Sequence, residues 1–136
     1  MKRNILLFII ILTVLTACQS TTSTLPKNIE DYSITMADNL LASLQENDYK
    51  NFSRDFSEEL FSSFTQEMFV SLQETILEDM GAFQAMVYGK TTREDAYLIS
   101  YFDVQFEQGD LTLVLVLQPE SPYLIEGFWF PDFQTE

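Results

Sequence analysis

Residues 66–89 read QEMFVSLQETILEDMGAFQAMVYG, and a change of period inside this stretch decides the fold class. Phe69, Leu72, Ile76 and Met80 recur at helical spacing and lay one apolar stripe along a helix. Thr65 is an N-cap residue type, and Gln66 and Glu67 fill the first turn, where negative charge suits the helix dipole. Gly81 stands where a helix ends in a glycine. Beyond it Phe83, Ala85 and Val87 alternate with polar or longer neighbours, the period of a strand, and Gly89 reads as the end of that run.

Upstream the pattern is helical. Ala37, Leu40, Leu41 and Leu44 fall at i, i+3, i+4 and i+7, with Ile34 a turn earlier. Asn47-Asp48 interrupts the chain, and Tyr49, Phe52 and Phe56 set out a short second helix. Asp55 with Glu58 three residues on reads as a capping box for a segment ending at Phe64. Downstream, 96–107, 111–117 and 123–130 read as strands, separated by turns at Gln108-Gly109-Asp110 and between Pro119 and Pro122. Helices followed by adjacent strands predict an α+β domain, with N-terminal helices packed on a curved antiparallel sheet of about four strands. The strands at 111–117 and 123–130 are too continuously apolar for a sheet with one wet face. Both faces are therefore expected to be covered, the second by a homodimer or another partner.

The first residues belong to a different category. Lys2 and Arg3 precede an apolar run from Ile5 to Leu15, which fits the core of a secretory signal and is too short to span a bilayer. Leu15-Thr16-Ala17-Cys18 then resembles the lipobox of bacterial lipoproteins. That resemblance implies cleavage before Cys18, lipid (diacylglycerol, palmitate-type acyl chains) on its sulfur, and a place at the extracytoplasmic side of the cell envelope. Residues 1–17 are read as the signal peptide, 18–28 as the lipidated cysteine and a Ser/Thr-rich flexible tether, and 29–136 as the domain.

Composition bounds the chemistry. Seven Lys and Arg stand against twenty-one Asp and Glu; loss of Lys2 and Arg3 leaves five, a formal charge of −16. Such a surface repels phosphate backbones, and no nucleic-acid partner is expected. With no histidine, the commonest general base, the Ser–His and Cys–His triads and the usual zinc ligand are missing together. The single cysteine, Cys18, cannot form an internal disulfide. Neither a cofactor nor a metal is expected. The carboxylate pairs Glu58-Glu59, Glu78-Asp79 and Glu94-Asp95 lack a metal-loop spacing and read as solvated charge.

The run Leu40-Leu41-Ala42-Ser43-Leu44, the segment Asn47-Asp48-Tyr49-Lys50-Asn51-Phe52-Ser53-Arg54-Asp55-Phe56-Ser57, and Thr65, Phe69, Leu72, Gly81 and Gly127-Phe128-Trp129-Phe130 together resemble a family, domain of unknown function 3887. The resemblance covers roughly residues 30–130, with Phe83 at the position two after the glycine where members often carry an aromatic, a Tyr. It implies a nuclear-transport-factor-2-like cone, a curved sheet wrapped on a helix around a cavity, and no known activity. Enzymes on that fold set an Asp or His base beside Tyr donors inside the cone. Tyr101 and Asp103 share one face of the strand at 96–107, with Tyr97, Ile99 and Gln105, and are the catalytic candidates if that face lines the cone. The expected role is a non-catalytic module that binds a small apolar ligand, a peptide or a partner. The alternative is a His-free lyase or isomerase with Asp103 as base and Tyr101 as donor.

Overall fold

The computed structural model describes residues 24–133, so the expected signal segment and Cys18 lie outside the described residues. Helix α1 (Ile29–Glu46) presents Met36, Ala37, Leu40, Leu41 and Leu44 to the core and ends at Asn47, whose φ of 57° reverses the chain. Asp48 caps the short α2 (Tyr49–Phe52) by accepting from the Asn51 N–H. Helix α3 (Glu58–Ser63) is capped by Ser57, whose hydroxyl accepts from the Leu60 N–H at 3.2 Å. This corrects the expected cap at Asp55 by two residues. Asp55 is held otherwise: its carbonyl accepts from the Ile125 N–H and its carboxylate pairs with Arg54. Thr65 caps α4 (Gln66–Met80) as its residue type implied, and Gly81, at φ 73°, ends it.

Four strands follow as an antiparallel meander in the order β1-β2-β3-β4: β1 (Phe83–Glu94), β2 (Tyr97–Phe106), β3 (Gly109–Leu117) and β4 (Ile125–Trp129). The α+β class and the strand number stand as expected. Gly89, however, does not end its strand. It is the extra residue of a bulge between the pairs Tyr88↔Phe102 and Lys90↔Tyr101. A Cβ at Gly89 would lie 3.2 Å from the Tyr101 carbonyl oxygen, so the close approach of β2 favours glycine there.

The inner face of the sheet meets the helices. Leu98, Phe102, Val104 and Phe106 of β2 and Leu111, Leu113, Leu115 and Leu117 of β3 are buried in one core with α1 and with Phe52, Phe56 and Phe69. Leu25 also packs against this core. At about 25 cal/mol per Å² of apolar area, these side chains supply most of the driving force for folding. A short parallel bridge, Phe56↔Ile125, ties the segment between α2 and α3 to β4. No element among the described residues covers the outer face. Ile99 and Val114 are nevertheless buried there by their neighbours, while Val87, Tyr97 and Trp129 stay exposed.

Candidate binding groove at the free edge of the sheet

Both catalytic candidates lie on the outer face. Asp103 is exposed, and Tyr101 is half-buried with the Lys90 ammonium 5.4 Å from its ring centre. The condition attached to them, that their face line the space under the helices, is not met, because the opposite parity of β2 does so. Asp103 borders an outer-face depression of about 460 Å³ with Asp110 and Asp132, but Tyr101 does not line it. A base needs a donor aimed at the same atom, and this pair does not converge. Among the described residues no group of three or more Asp, Glu, Cys or His could hold a metal ion.

Hydroxyls, rather than carboxylates, occupy the polar part of the interior. The bulge at Gly89 turns both Tyr88 and Thr91 inward, and the Tyr88 hydroxyl donates to Thr91 Oγ1 at 2.9 Å. Thr91 Oγ1 lies 2.7 Å from Ser100 Oγ, which lies 2.8 Å from Ser33 Oγ on α1. Ser33 and Ser100 are fully buried. Each hydroxyl has a partner, so the chain of contacts pins α1 to the sheet without an unsatisfied group.

The aromatic cluster beside it is closed. Phe52 is fully buried, with ring centres of Phe56, Phe64, Phe69 and Phe128 between 4.8 and 5.8 Å away. Tilted and edge-on arrangements at such distances are those aromatic pairs prefer.

The same aromatics open outward at the edge of the sheet. A groove of about 530 Å³ runs between α3, α4 and β4, floored by Phe64, Leu72, Phe128 and Phe130. Leu60, Met68 and Phe133 also line it, as do Ser71, Thr75 and the single tryptophan, Trp129. Its volume falls in the range of about 300–1,000 Å³ common to ligand pockets. Met68 and Trp129 are close to half exposed, at 49% and 46%. Large apolar side chains left so open border a site more often than a core. No side chain lining the groove is ionisable at neutral pH, and its polar side chains are the hydroxyls of Ser71 and Thr75.

Helix α4 builds its wall through two stripes. Phe69, Gln73 and Ile76 are buried on the core side. Met68, Ser71, Leu72 and Thr75 turn toward the groove. The helix starts firmly: the Thr65 hydroxyl accepts from the Met68 N–H at 3.3 Å. The Glu67 carboxyl is held below its usual range, first by its own backbone N–H and then by Thr65.

These features define an α+β domain with a filled interior and an open apolar groove at one sheet edge. The chain belongs to the family described as protein of unknown function (DUF3887), whose model matches residues 37–121. The match ends short of Gly127–Phe130, so the strand wall of the groove lies beyond the matched stretch. A search of curated proteins finds no relative that matches the chain. Among the described residues no helix is long and apolar enough to cross a membrane.

Proposed function

We propose that this domain is a non-catalytic binding module, displayed on the extracytoplasmic side of a bacterial membrane by lipid on Cys18. The groove between α3, α4 and β4 carries the binding half of this reading, since it is apolar, open and free of ionisable lining groups. The anchoring half rests on Lys2, Arg3, the apolar run to Leu15 and Leu15-Thr16-Ala17-Cys18. A helix lying against a curved four-stranded sheet supports the finer reading of a nuclear-transport-factor-2-like cone.

Two experiments test the halves separately. Cells fed an alkyne-bearing palmitate analogue should label the wild-type protein and leave Cys18→Ser unlabelled; equal labelling would contradict the anchor. A neutral apolar dye, diphenylhexatriene, should quench Trp129 by energy transfer on binding, and absence of quenching would contradict the groove. A co-purifying ligand seen by native mass spectrometry would supply the ligand's identity.

A second reading has its own observation. Val87, Tyr97 and Trp129 are exposed on the outer sheet face beside buried Ile99 and Val114, which favours a homodimer through that face. Light scattering from the purified domain decides it, and a clean monomer at high concentration would end that reading.

A further inference from the structure

Two independent features of the groove narrow what fills it: the backbone of its strand wall and the charge of its rim. Strand β4 is the edge of the sheet. Outward backbone groups alternate along an antiparallel edge. Ile125 is one outward residue, and both its groups are taken: its N–H donates to the Asp55 carbonyl at 2.8 Å, and its carbonyl accepts from the Ser57 N–H at 2.9 Å. The register shift between Val116 and Leu117 moves the next outward position to Phe128, opposite Leu115. Beyond the Phe56↔Ile125 bridge, no strand among the described residues lies beside it. The chain thus begins a fifth strand at residues 55–57, and among the described residues no strand pairs with the rest of that edge, which borders the apolar groove beside α3. An open edge is a template for an added strand.

Charge supplies the second observation. Helices α3 and α4, β4 and the tail to Phe133 contain no Lys or Arg, and neither does the chain between Arg54 and Lys90. Along α4, Glu67, Ser71, Glu74 and Glu78 follow i, i+4, i+7 and i+11, so an acidic stripe borders the lining residues Ser71 and Thr75. Glu58 and Glu59 are exposed on α3. The nearest cation along the chain, Arg54, is engaged by Asp55 at 2.8 Å.

We infer that the groove receives an extended segment of a partner protein, with apolar side chains seated on Phe64, Leu72 and Phe128, main-chain bonds to Phe128, and flanking Lys or Arg over the acidic rim. The inference rests on the groove being a binding site and adds the chemical class of its occupant. Main-chain pairing gives such a complex affinity, and alternate side chains give it selectivity. Rim charges act mainly on partner choice and association rate.

The described residues close one core by themselves, so a chain from residue 24 to 136 serves for the test. The probes are three synthetic nine-residue peptides sharing a Val-Phe-Val centre: one flanked by Lys, one flanked by Glu, and one Lys-flanked with N-methylated central amides. Emission of Trp129, the only tryptophan, is the readout. The Lys-flanked peptide should bind about tenfold or more tighter than the Glu-flanked one at low salt, with the gap closing as salt screens the rim. N-methylation should weaken binding by about tenfold or more, because it removes the strand's donors. The exposed variant Met68→Lys should reduce or reverse the charge preference. Equal affinity of the Lys and Glu peptides, or no effect of N-methylation, overturns the inference. If diphenylhexatriene quenches Trp129 and no peptide binds, the inference fails while the groove reading stands; if dye and peptides all leave Trp129 unchanged, both fail.

Discussion

The two aromatic regions of this domain, the cluster around Phe52 and the groove beside Trp129, are built from the same residue types and end in opposite states. Around Phe52 every ring meets another ring, and Phe52 and Phe69 are at most 1% exposed. Further along the chain, α4 turns Met68 toward the free edge of β4, where Leu72 and the half-exposed Trp129 line the same groove. Phe64 and Phe128 belong to both regions, since they pack on Phe52 and also floor the groove. Aromatic richness therefore does not by itself mark a candidate site; the unpaired sheet edge beside the aromatics marks this one.

Perturbing the closed region should have the largest effect. Phe52→Ala removes the centre of the ring cluster and should cost about 3–5 kcal/mol in a urea melt. A loss well under about 1 kcal/mol would mean that the cluster is loose and the contrast with the groove is false. Next comes Ser100→Val, which leaves buried Ser33 without its hydroxyl partner and should cost about 1–3 kcal/mol. Removing both hydroxyls, Ser33→Ala with Ser100→Ala, should cost less than the sum of the two single changes.

The open region should behave differently. Met68→Ala should change stability by only about 0.5–1 kcal/mol, because the side chain is half exposed, while weakening retention of an apolar probe measured by fluorescence. If stability falls as far as for Phe52→Ala, the groove is core and the comparison breaks. Tyr101→Phe and Asp103→Asn, on the outer face, should each stay within about 0.5 kcal/mol and leave probe binding unchanged.

The smallest effect is electrostatic. The Glu67 carboxyl titrates below its unfolded value, so its contribution is present above the unfolded pKa and disappears as pH falls through the folded one. Glu67→Gln should therefore lower stability slightly at neutral pH and match the wild type in acid, as thermal melts across pH can show.

Much of the fold was legible because its causes are local. Thr65, the stripe through Phe69 and Ile76, and Gly81 set the bounds of α4 with no knowledge of what it packs against. Where the reading of the residues went astray, the deciding contact was distant in sequence. Gly89 could end a strand or bulge it, and the register against Tyr101 chose the bulge. Asp55 and Ser57 are both capping types, and Ile125 recruited the backbone of Asp55, leaving Ser57 to cap α3. The groove was hidden for a related reason. Leu72 belongs to the stripe expected to be buried, and the path of β4 leaves it lining an open groove with Leu60, Phe64 and Met68. One signal was present: Met68 widens the apolar arc of α4 beyond the stripe through Phe69, Leu72 and Ile76.

The central claim is that the space under the helices is filled and that binding capacity sits at the β4 edge. Energy transfer from Trp129 to bound diphenylhexatriene, compared between wild type and Met68→Lys, tests it most directly. The account predicts efficient transfer in the wild type and its loss in the variant, with the fold intact by circular dichroism. Dye bound with equal affinity by both proteins and without transfer from Trp129 would place the binding site elsewhere and contradict it.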